Sequence, residues 1–255
     1  MVTSVSVKPH RISALALAAT AASLALAACA SSGSTSHGQR AFSFSGTRLI
    51  IDDTSSDLKV VPGSGPRIEV QRWLSGTAAK PGHSSWTLSG GTLQLSIDCS
   101  GLVFSCGSRF EVAVPPGVAV VVNSGPGTDT VSGLSGSATV NGGSGDIHVS
   151  GVSGPFQVST GSGSITATAI RSSIVRATSN QGSADVSFTA APRSVTVKCS
   201  TGNATVKVPA AGHRYHVLVS SGTGNAVSKV PDDRQSGSVV QVSSGNGDAT
   251  LLRAS

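Results

Sequence analysis

The 255-residue chain contains 31 glycines, 9 aromatic residues and 30 charged residues, and its length allows one large all-β domain or two smaller ones. An intrinsically disordered chain would carry a higher net charge and fewer valines and isoleucines, whereas valine recurs here at short intervals, so a packed core is available. The formal net charge is +6; Lys8 and Arg11 lie in the N-terminal leader, and the remaining +4 favours weak attraction to anionic envelope polymers or lipid headgroups and gives no indication of nucleic-acid binding.

Residues 1–28 have the organisation of a signal peptide. Lys8 and Arg11 belong to a positive N-terminal region, and Ile12–Leu26 is an apolar run too short to span a bilayer permanently. The run ends in Leu-Ala-Ala-Cys, which resembles the lipobox of bacterial lipoproteins. The resemblance implies that the leader is removed just before Cys29 and that the Cys29 thiol is diacylated. We therefore expect a lipid-anchored cell-membrane protein on the extracytoplasmic face; an ordinary secretory signal with an incidental cysteine is the alternative.

Two segments precede the regular part of the chain. Residues 29–40 are rich in serine and glycine and are expected to form a flexible tether. Residues 41–122 contain short alternating runs that predict strands, together with Trp73 and Trp86, which we interpret as packing residues. This less regular segment is expected to form an N-terminal β cap over the open end of the repeats that follow.

The three cysteines after Cys29 have different predicted roles. Cys99 and Cys106 are seven residues apart, a spacing that suits a loop-closing disulfide in an exported protein. Cys199 alternates with valines on one face of a predicted strand, so a buried free thiol is the preferred interpretation.

Residues 123–255 are built on a repeat. Seven short polar turns align on glycines whose spacings grow smoothly from 18 to 23 residues; these are Gly127, Gly145, Gly163, Gly182, Gly202, Gly224 and Gly247. Between the turns, apolar and polar residues alternate with period two, which indicates strands with one buried face. The predicted fold is therefore all-β, and two strands and two turns per repeat favour a β-solenoid of stacked two-strand rungs of 18–23 residues. An antiparallel β meander remains the alternative.

The second turn of each repeat lengthens along the chain, which makes that edge a candidate binding surface. Arginines fall on it at spacings of 22, 21 and 20 residues: Arg171, Arg193, Arg214 and Arg234. If the rungs stack in chain order, these residues form a basic stripe, a possible interaction surface. The alternative is four independent arginines at solvated turn tips.

The repeat resembles the bacterial DUF4097 family, which is described as candidate adhesins on the basis of its architecture. The residues that carry the resemblance are the turn and strand of residues 143–149 (GSGDIHV) and the following strand of residues 151–158 (GVSGPFQV). The resemblance extends roughly from Leu49 to Leu251. It implies a β-repeat fold and an adhesive role, and it brings no catalytic residue with it.

No motif for catalysis, a metal or a cofactor is found in the sequence, so we expect a protein that is not an enzyme and that has neither a metal nor a cofactor. The first hypothesis is a non-catalytic envelope lipoprotein whose repeats are a scaffold for adhesion to envelope proteins or glycans. The second is a polysaccharide-active β-helix enzyme, which would require carboxylates to converge from Asp129, Asp146, Asp185 or Asp248. The third is an envelope-stress signalling accessory. The oligomeric state is left open.

Overall fold

The strands of a computed structural model form two sheets that face each other across one core. The structure describes residues 35–100, 105–209 and 212–254, which belong to one compact unit, Gly33–Ser255; the predicted signal peptide and Cys29 lie outside the described residues. The strands are β1 Thr35–Ser43, β2 Arg48–Asp53, β3 Asp57–Pro62, β4 Arg67–Gly76, β5 Ser84–Ser89, β6 Thr92–Ile97, β7 Cys106–Val114, β8 Ala119–Pro126, β9 Asp129–Ser132, β10 Ala138–Ser144, β11 Ile147–Ser150, β12 Phe156–Ser162, β13 Ile165–Ile170, β14 Ile174–Gln181, β15 Ala184–Phe188, β16 Ser194–Thr201, β17 Ala204–Val208, β18 His216–Thr223, β19 Ala226–Ser228, β20 Val239–Asn246 and β21 Ala249–Arg253. A short 3-10 helix, Thr77–Ala79, follows β4.

The repeats stack in parallel, which confirms the predicted solenoid and excludes the meander for this part of the chain. Each rung contributes one strand to a ten-stranded sheet and the next strand to an eleven-stranded sheet. β10, for example, pairs in parallel with β8 and β12, while its partner β11 pairs with β9 and β13. Nine such rungs stack within the described part of the chain.

The spatial order of the rungs departs from the chain order at both ends of the stack. The first rung of the chain, β2–β3, lies between β8–β9 and the later pair β6–β7. The last rung of the chain, β20–β21, lies between β16–β17 and the earlier pair β18–β19. The first and the last rungs are therefore each covered by a neighbour on both sides.

Three antiparallel strands cover one end of the stack, which we call the capped end. β4 pairs with β7 and β1 with β4 in the larger sheet, and β5 pairs with β6 in the smaller one. The predicted boundaries are corrected accordingly. Residues 35–40, expected in a flexible tether, lie in β1, and the boundary between residues 122 and 123 falls inside β8, because the stack already includes the rungs β2–β3 and β6–β7.

Aliphatic side chains from both sheets fill the space between them, one layer per rung. Val140 lies beside Val122 and Val158 of the neighbouring rungs, and all three are almost fully buried. Burial of a valine side chain contributes about 1.5–3 kcal/mol relative to exposure, so every added rung extends the same stabilising column.

The glycine turns stack so closely that they exclude any side chain. Gly163 has a φ of +150°, and a methyl group built on it would lie 2.0 Å from the carbonyl oxygen of Gly145 in the rung below. Beside this glycine column, side-chain oxygens accept hydrogen bonds from backbone N–H groups of a neighbouring rung at 2.8–3.1 Å. The accepting residues are Asp57, Asp146, Ser183, Asn203 and Asp248. Stacked identical turns thus form the polar ladder that independent hairpin loops would lack.

A second row of polar groups points inward, just inside the glycine turns. Ser179, Ser221 and Ser244 donate their hydroxyls to turn carbonyls at 2.8–3.0 Å. Cys199 occupies the same row as a buried free thiol, as the sequence indicated, with its Sγ 3.4 Å from the carbonyl oxygen of Asn203. Burial raises the pKa of this thiol.

A disulfide joins the first residue of β7 to a residue that follows β6. Cys99 and Cys106 are bonded, with their Cα atoms 6.1 Å apart. The bridge closes the connection between the two strands that lie next to the antiparallel cap.

Candidate interaction surfaces

Two rows of residues on the outward surface of the ten-stranded sheet are poor in charge, and we call these rows the polar face. The strand registers align the two rows, which contain nine residues each. The first row is Gln94, Asp52, Asn123, Asn141, Ser159, Thr178, Lys198, Ser243 and Ser220. The second row is Thr92, Ile50, Val121, Thr139, Gln157, Arg176, Thr196, Gln241 and Leu218. Only Asp52, Arg176 and Lys198 are charged, so amides and hydroxyls dominate this surface.

Hydrogen bonds link neighbouring rungs along the first row. Asn123 donates its Nδ2 to Asp52 Oδ1 at 2.8 Å, and Asn141 donates its Nδ2 to Asn123 Oδ1 at 3.0 Å. The Ser159 hydroxyl then donates to Asn141 Oδ1 at 3.0 Å. The sequence interpretation missed this ladder, although Asn123 and Asn141 each stand four residues before an aligned turn glycine, which is a signal for stacked amides.

The structure does not bring the four predicted arginines into one column. Arg171 N–H bonds to Val152 O, but Arg193 N–H bonds to Ser173 O, so the two residues stand at different positions along their turns. The turns stack in the order Arg171, Arg193, Arg234 and Arg214, so the four arginines do lie on neighbouring rungs. They stand three, one, five and two residues before the aligned strand positions Ile174, Ser194, Val239 and His216. These different positions along the turns are the physical reason that the arginines do not form one column.

Two of these arginines also form exposed ion pairs with aspartates of the turn before β20. Arg214 Nη1 lies 3.3 Å from Asp233 Oδ2, and Arg234 Nε lies 3.4 Å from Asp232 Oδ2. Asp232 further accepts the backbone N–H of Val217, and this bond is the main reason that its pKa lies below the usual range. These contacts make Arg214 and Arg234 parts of an ordered turn.

Both tryptophans lie at the capped end, each beside an arginine. The Arg109 guanidinium stacks 4.3 Å from the ring centre of Trp73, whose other neighbour is His37, with ring centres 5.1 Å apart. The Arg72 guanidinium stacks 4.2 Å from the ring centre of Trp86. Both indoles are half-buried. Trp86 packs against the end of the core, whereas Trp73 lies on the outward face of β4, opposite to the buried Val70 and Leu74.

The same strands form an open groove on the outer side of the larger sheet. Trp73 and Arg109 lie on its floor, and Asp57 and hydroxyl groups of the neighbouring strands line its sides. The aromatic and cationic groups here are packed against each other, because cross-strand neighbours on one face of a sheet stand side by side.

Two carboxyl groups are buried between the sheets near the glycine turns. Asp53 is 4% exposed and accepts hydrogen bonds from the backbone and hydroxyl of Ser56. Asp129 is 2% exposed; its Oδ2 accepts the Ser124 hydroxyl, and its Oδ1 has no hydrogen-bond partner. Burial raises both pKa values, that of Asp129 to about 6, with a further contribution from the neighbouring charge of Asp53.

The four aspartates that an enzymatic role would require lie in different environments. Asp129 points into the core, and Asp146 and Asp248 hold backbone N–H groups in the turn ladder. Asp185 lies on the outside of the larger sheet, 3.8 Å from Lys207. The four do not converge on a common cleft.

Neither a group of metal ligands nor a membrane-spanning helix is found in the described part of the chain. Across residues 35–100, 105–209 and 212–254, no three histidine, cysteine, aspartate or glutamate side chains are grouped so that they could hold a metal ion. Over the same residues, no helix has the length and apolar character needed to cross a membrane.

The fold and its surfaces define a capped, two-sheet β-solenoid with a polar face. The chain belongs to the DUF4097 family, because the family model described as Toastrack DUF4097 matches residues 118–252. No curated protein shows significant similarity to the chain.

Several solved structures are similar to this chain at low identity. A candidate adhesin from Bacteroides fragilis NCTC 9343 is 15% identical, with a TM-score of 0.44, over 86% of this chain and 97% of that one. A candidate cell adhesion protein from Clostridium sporogenes ATCC 15579 is 12% identical, with a TM-score of 0.34, over 87% and 100%. A candidate lipid binding protein from Parabacteroides distasonis ATCC 8503 is 10% identical, with a TM-score of 0.30, over 86% and 97%.

Proposed function

We propose that this chain is a non-catalytic envelope lipoprotein, anchored in the membrane through Cys29, whose solenoid is a scaffold for binding envelope glycans or proteins. The observation that carries the proposal is the polar face, a rigid surface of amides and hydroxyls that repeats once per rung. The leader that ends at Cys29 supports the location, and membership of a family described as candidate adhesins is consistent with the role.

The polar face suits binding because its groups are held in place before any ligand arrives. Asn141 is fixed by the hydrogen bonds to Asn123 and Ser159, which leave part of its donor and acceptor capacity directed at solvent. Rungs repeat every ~4.8 Å, so a long ligand would meet mostly uncharged polar side chains at regular intervals. Little side-chain entropy is lost on binding, and few charges must be desolvated.

The binding proposal is tested with matched variants on the two outer faces. One variant carries Asn141→Ala and Ser159→Ala on the polar face, and its control carries Thr166→Ala and Thr205→Ala on the opposite sheet. Both chains are immobilised and exposed to purified envelope glycans and to envelope protein extracts, and each captured species is then titrated. We expect the first variant to lose at least tenfold in affinity and the control to bind as the unmodified chain. Equal binding by both variants would remove the polar face from the proposal.

The anchor is tested separately by fractionation of cells that express the chain. The unmodified protein is expected in the membrane fraction, and Cys29→Ala is expected in the soluble envelope or culture fraction, because two acyl chains give stable anchoring that a protein without them lacks. A Cys29→Ala chain that retains its uncleaved leader must be identified by mass spectrometry. A processed Cys29→Ala chain that stays in the membrane at high salt would contradict lipid anchoring.

A further inference from the structure

Charge and tryptophan are concentrated at one end of the stack. The strands and connection that form the cap, residues 35–43 and 67–89, hold both tryptophans of the chain. They also hold the basic residues Arg40, Arg67, Arg72 and Lys80 against a single acidic one, Glu69. Their net charge is +3, out of +4 for everything after residue 28, so the remaining rungs together are almost neutral.

The basic side chains of the cap are available at its surface. Arg40, Arg67 and Lys80 are exposed. Arg40 donates to the carbonyl oxygen of Trp86 at 3.2 Å, and its guanidinium lies 4.7 Å from the ring centre of Phe42. Arg40 and Arg72 therefore lie next to Trp86, and Arg109 lies next to Trp73. Half-buried tryptophan next to lysine and arginine is the combination that membrane–water interfaces favour.

The length of the N-terminal connection places the cap close to the anchor, if Cys29 is acylated as proposed above. Thr35, where β1 begins, is six positions after Cys29, and these six steps along the chain reach at most ~21 Å when fully extended. Eleven strands at a spacing of ~4.8 Å give the larger sheet a length of about 48 Å. The lipid therefore restrains the end that carries β1, whereas the opposite end, with β18–β19, lies beyond this reach when the stack stands upright.

From this asymmetry we infer that the capped end docks on a membrane surface rich in anionic lipid headgroups. Arg40, Arg67 and Lys80 face the headgroups, and the edges of Trp73 and Trp86 enter the interfacial layer. The stack then stands away from the membrane, and the polar face is presented sideways to ligands. The inference rests on the proposed anchoring for its biological setting, but the docking itself depends only on the cap.

The experiment uses the mature chain with Cys29→Ala, so that no acyl chain contributes. Binding is measured by co-sedimentation with vesicles of equal parts phosphatidylglycerol and phosphatidylcholine, and with vesicles of phosphatidylcholine alone, at low salt. We expect partition into the anionic vesicles only, reversed at high salt because the charges are screened. Indole emission should shift to the blue and be quenched by brominated lipid, a readout that reports on the capped end because both tryptophans are there.

Two triple variants with the same change in charge locate the binding surface. The cap variant is Arg40→Gln, Arg67→Gln and Lys80→Gln. The control replaces three exposed residues away from the cap: Arg171→Gln, Arg193→Gln and Lys229→Gln. Each basic group near an anionic surface raises the partition coefficient about fivefold, so the cap variant should bind at least tenfold more weakly and the control no more than about threefold. Thermal unfolding of both variants verifies that each is folded.

Three results would overturn the inference. The first is no partition of the parent chain into anionic vesicles at low salt. The second is an equal loss in the two triple variants, which would indicate a diffuse attraction with no docking surface. The third is binding without quenching of the indoles. Failure of the fractionation experiment alone would leave docking standing, because the vesicle assay contains no acyl chain.

Discussion

Replacing Asp129 with asparagine tests how the core tolerates its buried carboxylate. The side chain is 2% exposed, only one of its oxygens has a hydrogen-bond partner, and Asp53 adds a like charge nearby. Asparagine keeps the size of the group and an oxygen for the Ser124 hydroxyl, but it carries no charge. The variant therefore separates the cost of the charge from the cost of the shape.

The magnitude follows from the pKa of Asp129, which rises from an ordinary 3.8 to about 6, chiefly because of burial. The folded state then binds the proton more tightly than the unfolded chain. Asp129 contributes its full stability below pH 3.8, and the contribution is lost as the pH rises through about 6. Two pKa units correspond to about 3 kcal/mol. We expect Asp129→Asn to be near neutral at pH 4 and to raise the free energy of unfolding by 1–3 kcal/mol, an order-of-magnitude range, at pH 8.

Urea unfolding followed by circular dichroism at a series of pH values measures this difference. Asp185→Asn is the control, because this exposed residue beside Lys207 should change stability by no more than ~0.5 kcal/mol at any pH. The parent and Asp129→Asn curves should separate between pH 4 and pH 7. Parallel curves, or an asparagine variant that is the less stable protein at pH 8, would refute a buried, destabilising carboxylate.

Three further predictions concern the turns and the cysteines. Gly163→Ala should lower the free energy of unfolding by at least ~3 kcal/mol or prevent folding, because its methyl group meets the stacked carbonyl of Gly145. The control Gly237→Ala, whose methyl group meets nothing within 4 Å, should unfold at nearly the parent temperature. Similar unfolding midpoints for the two variants would argue against the tight stack. Loss of the Cys99–Cys106 disulfide by a double serine substitution should lower stability by about 2–3 kcal/mol on the loop-entropy model, measured by urea unfolding, and no change would show that the bridge constrains little. In the Cys29→Ala chain, a thiol reagent should label no cysteine while the protein is native, since Cys199 is buried and its pKa is raised. After unfolding without reductant, the reagent should label one cysteine. Rapid labelling of the native protein would contradict the burial of Cys199.

Much of the architecture could be predicted because each rung carries its own local signal. Alternation of valines with polar residues identified the inward rows, and the evenly drifting glycines identified the turn that every rung shares. Asp129 could have been recognised by the same reasoning, because it stands two residues before Val131 and therefore faces the same way. The aligned amides of Asn123 and Asn141 carried a comparable signal at a spacing of one rung.

The order of the rungs could not be predicted from these local patterns. β18 and β20 contain the same pattern, Val-x-Val-Ser-Ser-Gly, in residues 217–222 and 240–245, and alternation does not reveal which of them lies beside β16. The predicted arginine stripe had a different difficulty, since even spacing in the sequence does not reveal where along each turn an arginine stands. A cap formed by the N-terminal segment was expected, but its strand pairing was equally hidden, because the antiparallel pairing of β1, β4 and β5 depends on contacts distant in sequence.

The exchanged order of the last two rungs has a consequence for how the chain folds. Among the described strands, β18 and β19 pair only with β20 and β21. The segment that is synthesised earlier therefore reaches its final position only after the last segment has been synthesised. Until then, the shared Val-x-Val-Ser-Ser-Gly pattern lets β18 occupy the edge of β16 that β20 holds in the finished protein. Completion requires the later segment to displace the earlier one, so assembly cannot proceed strictly from the N-terminus to the C-terminus, and a chain shortened before Val239 would settle into a differently ordered stack.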